Sequence, residues 1–182
     1  MKLLRLLPLL LAPVLAAAQS QDFPSGSRVP TITYFPPALT SVYRGHPGML
    51  ELQFRIPAGF HINSNHPKEE YLKKTELLLD APTDIAMEKV SYPPGVDRSF
   101  PFDPSEKLNV YSGDFAIGVL VRPLKTVVPA RYAVHGVLKY QACDNAACYP
   151  PKQLPVTFQI KVLKGAHEHR RYIPQQSPGT RD

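Results

Sequence analysis

Apolar and polar side chains alternate along residues 49–56, with Leu50, Leu52, Phe54 and Ile56 on one side and Glu51, Gln53 and Arg55 on the other. That period of two belongs to a strand with one buried face. Shorter segments of strand character lie at 60–62, 75–79 and 85–92. Residues 115–121 (Phe-Ala-Ile-Gly-Val-Leu-Val) are nearly all apolar and suit a central strand. Residues 132–140 and 154–162 close the series, and 31–35 add a weaker member. Seven or eight short strands separated by Pro and Gly predict an all-β fold. The expected architecture is a single-domain, immunoglobulin-like antiparallel β-sandwich. Only residues 64–72 have room for a helical turn.

The ends of the chain differ from this middle. Lys2 and Arg5 precede an apolar stretch, and Ala16, Ala17 and Ala18 form a small-residue cleavage site before Gln19. Residues 1–18 therefore read as a secretory signal peptide, with 19–29 a flexible lead-in. The apolar stretch is short and broken by Pro8 and Pro13, which argues against a membrane anchor. Residues 30–165 hold the expected domain. Residues 166–182 are polar, contain Pro174, Pro178 and Gly179, and read as a disordered tail. The expected product is exported, periplasmic and monomeric, without stable membrane insertion. It is in a compartment where disulfides persist.

Charge adds little. Of 21 basic residues two fall in the leader, leaving 19 against 15 acidic, a net charge of +4 scattered along the chain. No nucleic-acid footprint follows from that. The 21 prolines exceed the usual share of about 5% and sit mainly between apolar runs, excluding long helices.

The chemistry concentrates in two cysteines, Cys143 and Cys148, the only ones in the chain. They lie in the connection between the last two expected strands, at one end of the sandwich, where loops are exposed on a stiff scaffold. A bridge across so few residues contributes only about 2 kcal/mol by chain entropy. One reading is a dithiol that opens and closes: one exposed thiol attacks a partner disulfide, and the other resolves the mixed intermediate. The other reading is a structural clip. Spacing alone leaves both open. Asp144, if close, disfavours a Cys143 thiolate, and Tyr149, Pro150 and Pro151 stiffen the loop exit.

Other chemistries lack support. His61 and His66 lie near one turn, and with two thiols they would make a tetrahedral set. Oxidised cysteines do not ligate, however, so no metal and no cofactor are expected. His167 and His169 fall in the tail. Ser112 and Asp114 beside Gly113 read as a turn rather than part of a triad. No phosphate-binding glycine loop is present.

A second signal lies upstream, in Gly59, Phe60, His61, Ile62 and Asn63, followed by Ser64 and Asn65. Together with Tyr140, Gln141, Ala142, the cysteine pair, Tyr149, Pro150 and Pro151, this run resembles the amino-terminal periplasmic domain of the thiol:disulfide interchange protein DsbD. The resemblance covers about residues 30–163. It implies an immunoglobulin-like domain that passes reducing equivalents between thioredoxin-fold or membrane thiol reductase partners, as a component of protein-disulfide reduction. By position Cys148 is similar to the cysteine that forms the mixed disulfide and Cys143 to its resolver. Tyr140 and Tyr149 flank the pair and are expected to line its pocket. The family carries a cap loop over its site; residues 108–113 are similar in position, with Val110 and Tyr111 as shielding side chains. His61, Asn63 and Asp144 are supporting candidates. Relatives of this kind continue into a membrane bundle and a thioredoxin-like domain, so this chain is expected to act as a free-standing version. The rival reading, from another class, is a non-catalytic secreted immunoglobulin-like binding module with a structural disulfide.

Overall fold

The alternation of apolar residues becomes twelve strands. A computed structural model describes residues 30–165, and the signal peptide, lead-in and tail expected at 1–18, 19–29 and 166–182 lie outside the described residues. The strands are β1 (Thr33–Phe35), β2 (Thr40–Tyr43), β3 (Gly48–Arg55), β4 (His61–Asn63), β5 (Glu76–Asp80) and β6 (Ile85–Ser91). They continue as β7 (Val96–Phe100), β8 (Asp103–Tyr111), β9 (Asp114–Pro123), β10 (Arg131–Tyr140), β11 (Ala142–Cys143) and β12 (Lys152–Leu163).

Two four-stranded sheets carry the main core, in the orders β1-β3-β9-β6 and β2-β12-β10-β5. Every pairing is antiparallel except β2 with β12. The period of two directs Leu50, Leu52 and Phe54 of β3 and Ile117, Val119 and Val121 of β9 into one core. From the other sheet it directs Val134 and Leu138 of β10 and Val156, Phe158 and Ile160 of β12. Burying a side chain of this kind stabilises the fold by about 1.5–3 kcal/mol. The sandwich of the sequence analysis is therefore present, and β9 is central as its composition predicts. Among the described residues there is no helix: 64–72 form turns and bends.

The positioning element is a third sheet, in the order β11-β4-β8-β7. Ile62, Tyr111 and Ala142 join it to the main core, while Phe100, Leu108 and Val110 form a smaller cluster against Leu72. Residues 108–111, similar in position to a cap loop, are instead the end of strand β8. Ile62 pairs with Tyr111, and Asn63 and Val96 both pair with Val110. The loop between β7 and β8 is shorter and lies earlier, around Pro101 and Phe102.

Candidate functional site

The site begins with a turn. Pro57 to Phe60 close a four-residue turn, with Phe60 N–H donating to Pro57 O at 3.2 Å. Gly59 has φ of 83°, which places glycine at the third position of a type II turn. The chain then enters β4, where His61 lies opposite Cys143 and Ile62 opposite Ala142. On its other side Cys143 lies opposite Cys148. Residues directly opposed in an antiparallel ladder project from the same face. His61, Cys143 and Cys148 thus form one row of side chains across the edge of the third sheet.

The cysteines are joined by a disulfide, with Cα atoms 4.0 Å apart. Their environments differ sharply. Cys143 is 0% exposed, whereas Cys148 is exposed on the turn. Cys148 lines a cavity of about 330 Å³ with Tyr71, Leu72, Phe102, Leu108 and Gln141. His61 faces a second cleft of about 660 Å³, shared with Arg98, Phe100, Asn145 and the Arg55–Asp114 ion pair.

Hydrogen bonds hold the turn alongside the sulfur bridge. Asp144 N–H donates to Ala147 O at 2.9 Å, and Tyr149 N–H to Ala142 O at 2.8 Å. The Asp144 carboxylate accepts from Ala146 N–H (2.7 Å), Ala147 N–H (2.9 Å) and the Tyr149 hydroxyl (2.7 Å). These bonds, the Tyr149 hydroxyl first, hold its carboxyl below the usual carboxylate range. The same carboxylate raises the Tyr149 phenol. Tyr149 also makes an edge-on contact with Phe60, centroids 6.1 Å apart.

Asn63 and Gln141 tie this turn to the scaffold. Asn63 Nδ2 donates to Lys73 O (3.0 Å) and Gln141 Oε1 (3.4 Å), and Gln141 Nε2 donates to Tyr149 O (3.2 Å). Asn63 is buried, and its Oδ1 has no hydrogen-bond partner.

Aromatic rings cover the row. Phe100 stacks on the His61 imidazole with centroids 3.9 Å apart and planes 13° apart. Phe102 stacks on Phe100 at 5.6 Å. His61 is 3% exposed, and its Nε2 has no hydrogen-bond partner. Burial, then the Arg98 charge, push its pKa down to about 4, with Asp144 opposing.

Of the residues expected at the site, His61, Asn63, Cys143, Asp144, Cys148 and Tyr149 are brought together. Tyr140 lies instead in the main core, where its hydroxyl accepts from Ile32 N–H at 3.4 Å. Val110 is buried in β8. Tyr111 is buried beside Phe115, and its hydroxyl donates to Asn65 Oδ1 at 2.6 Å. Phe100 and Phe102 were not singled out from sequence, and Gln141 entered there only as part of the run that carries the resemblance. The Phe100-Pro101-Phe102 run between two polar stretches was the available signal for the first two.

Comparison with known proteins gives one family match and several distant structural likenesses. The family model described as "Thiol:disulfide interchange protein DsbD, N-terminal" matches residues 33–160. No curated protein matches. Among solved structures, the reduced DsbD N-terminal domain of Neisseria meningitidis is 20% identical, covering 60% of this chain and 79% of its own, with a TM-score of 0.38. A type I cohesin from Pseudobacteroides cellulosolvens is 12% identical, covering 78% and 94%, with a TM-score of 0.41. Among the described residues no helix is long and apolar enough to cross a membrane. The family match spans both halves of the site, from β4 to the cysteine turn and on into β12. By that match the chain belongs to the family of the DsbD N-terminal domain.

Proposed function

We propose that this chain is a periplasmic thiol–disulfide exchange module whose Cys143–Cys148 pair cycles between disulfide and dithiol. The observation that carries this reading is the unequal exposure of the two sulfurs: Cys148 lies open on the turn while Cys143 is fully buried. A thiolate from a thioredoxin-fold or membrane reductase partner reaches Cys148 first. Its sulfur bonds to that of Cys148, the bridge breaks, and Cys143 leaves with the electron pair and takes up a proton. The partner's second thiol then displaces Cys148, so two electrons and two protons have entered the chain. In the reverse sense Cys148 attacks an acceptor disulfide and Cys143 resolves the mixed intermediate.

The turn supports this cycle, because hydrogen bonds to Asp144 and Ala142 join its two ends in addition to the bridge. A bridge needed to hold that loop would be the mark of a clip. Phe102 shares a cavity with Cys148 and takes the shielding role expected of Val110 and Tyr111.

A reduction potential separates exchange from a permanent bridge. A value between about −180 and −270 mV fits exchange, and one well below about −300 mV marks a structural disulfide. In the Cys143→Ala variant, Cys148 should retain a thioredoxin-fold protein as a mixed disulfide. Absence of any adduct counts against the proposal.

A further inference from the structure

Closing the disulfide requires Cys143 to act as a thiolate, and its surroundings make that difficult. The sulfur is 0% exposed, so water has no access to the proton, and burial raises a thiol's pKa. Asp144, its neighbour in sequence, is a poor acceptor. Its oxygens already receive Ala146 N–H, Ala147 N–H and the Tyr149 hydroxyl, and its charge opposes a thiolate. Arg98 and Arg55 are cations, and Arg55 is paired with Asp114.

One group remains. His61 lies directly across the ladder from Cys143, on the face from which the sulfur projects. The Phe100 ring fixes the imidazole plane and excludes water from it. Its Nε2 is buried and unpartnered while Cys143 is locked in the bridge. Buried polar atoms without a partner are rare and call for an explanation. Opening the bridge creates a thiol on the residue directly opposite His61 in the ladder, which supplies one.

We propose that His61 accepts the thiol proton of Cys143 when Cys143 attacks the mixed disulfide at Cys148. The imidazole carries the proton on Nδ1 and takes the second on Nε2. The Cys143 sulfur bonds to Cys148, the bond from Cys148 to the partner breaks, and the partner sulfur leaves with the electron pair. The imidazolium returns its proton to solvent while the departing thiolate takes one up, so no proton is consumed. Three features face the imidazole: Phe100 on its plane, Arg98 in the shared cleft and Asp144 on the turn. Burial and Arg98 keep it neutral above a pKa of about 4, with Asp144 opposing them, so near pH 7 its Nε2 lone pair is open. The same burial makes it a weak base that holds the proton only while the sulfurs exchange.

This inference rests on the exchange reading for Cys143 as the closing sulfur, and it is tested without any protein partner. The reduced full chain is mixed with 5,5′-dithiobis(2-nitrobenzoate). Attack by exposed Cys148 releases a first thionitrobenzoate, and closure by Cys143 releases the second. In His61→Phe, which keeps an aromatic ring against Phe100, the first phase should be unchanged. The second should slow at least about tenfold near pH 7, below the roughly hundredfold that a proton acceptor matched to that pH supplies, because this imidazole is a weak base. That deficit should shrink as pH rises and hydroxide ionises the thiol unaided. His61→Gln, which keeps a polar side chain, should show the same selective loss and serves if the Phe variant does not fold. Coincident second phases and pH profiles in wild type and variant overturn the proposal, as does equal slowing of both phases. A wild type that closes normally, beside a Cys143→Ala variant that traps no thioredoxin-fold protein, refutes the exchange function and leaves this inference standing.

Discussion

Acid should weaken this fold through His61, and the size of the effect follows from its burial. The imidazole titrates near 6.5 in an unfolded chain and near 4 in this fold, where burial comes first and Arg98 adds to it. Between those values the unfolded chain binds a proton that the folded chain refuses. Stability therefore rises with pH across that window and is lost as pH falls from about 6.5 to 4. A displacement of this size corresponds to about 3 kcal/mol, at roughly 1.4 kcal/mol per pKa unit. Against a total of about 5–15 kcal/mol this is a large fraction. Urea unfolding of the oxidised chain from pH 4 to pH 7.5, compared with His61→Phe, isolates the term. Asp97, Asp114 and Glu76 have lowered pKa values and weaken the fold at acid pH in both proteins, so they cancel in the difference. The gap in stability between the two proteins should move by about 3 kcal/mol over the window. Parallel pH dependence would refute the assignment of His61 as a neutral, buried imidazole.

Three further outcomes are expected. Phe102→Ala removes a ring from the cavity beside Cys148 and should speed reduction of the bridge by dithiothreitol severalfold without changing its potential; equal rates would remove Phe102 from the shielding role. Gly136→Ala should destabilise the chain by about 1–3 kcal/mol through overpacking. A Cβ there meets the Leu78 carbonyl oxygen on paired strand β5 and comes within 2.8 Å of Leu79 Cδ2, and a urea midpoint measures the loss. Asp144→Ala removes the acceptor of three turn hydrogen bonds. The dithiol form, which lacks the bridge, should suffer more than the disulfide, so the potential measured by glutathione equilibration should become more negative.

Much of the sandwich was legible because its strands carry their partners' signal in their own alternation. Residues 49–56 and 115–121 read as strands and form β3 and β9. β7 and the first half of β8 were not legible. Their residues from Val96 to Ser99 and from Asp103 to Lys107 are mostly polar; Val96, Asp97 and Arg98 become strand by pairing with Val110, Asn109 and Leu108, and Phe100 with Asp103 closes the hairpin. Phe100 and Leu108 acquire a buried surface only when Leu72 and His61 arrive from elsewhere in the chain. The same contrast divides the site. The cysteine turn and its Asp144 and Tyr149 flanks are local and could be read directly. Tyr140 was legible in principle, since alternation along β10 puts it on the face of Leu138 and Val134. The aromatic cover is tertiary, and only the Phe100-Pro101-Phe102 run hinted at it.

One backbone rule accounts for the asymmetry on which the chemistry depends. Cross-strand neighbours share a face, so pairing Cys143 with both His61 and Cys148 sets three side chains in a row. β11 is the edge of the third sheet, so one end of that row runs outward to solvent and the other runs inward beneath Phe100. Exposure then follows position: Cys148 at the open end, Cys143 in the middle and His61 under the ring. A partner sulfur approaching along the row meets Cys148 before any other titratable group in it. A shift of β4 by one residue would carry His61 to the opposite face and leave Cys143 opposite Phe60 or Ile62, neither of which can take a proton. The hydrogen bonds from Asn63 to Lys73 and from Thr75 Oγ1 to Asn63 O resist that slip. The register of three short strand residues therefore sets which sulfur is reached and what stands behind the one that is not.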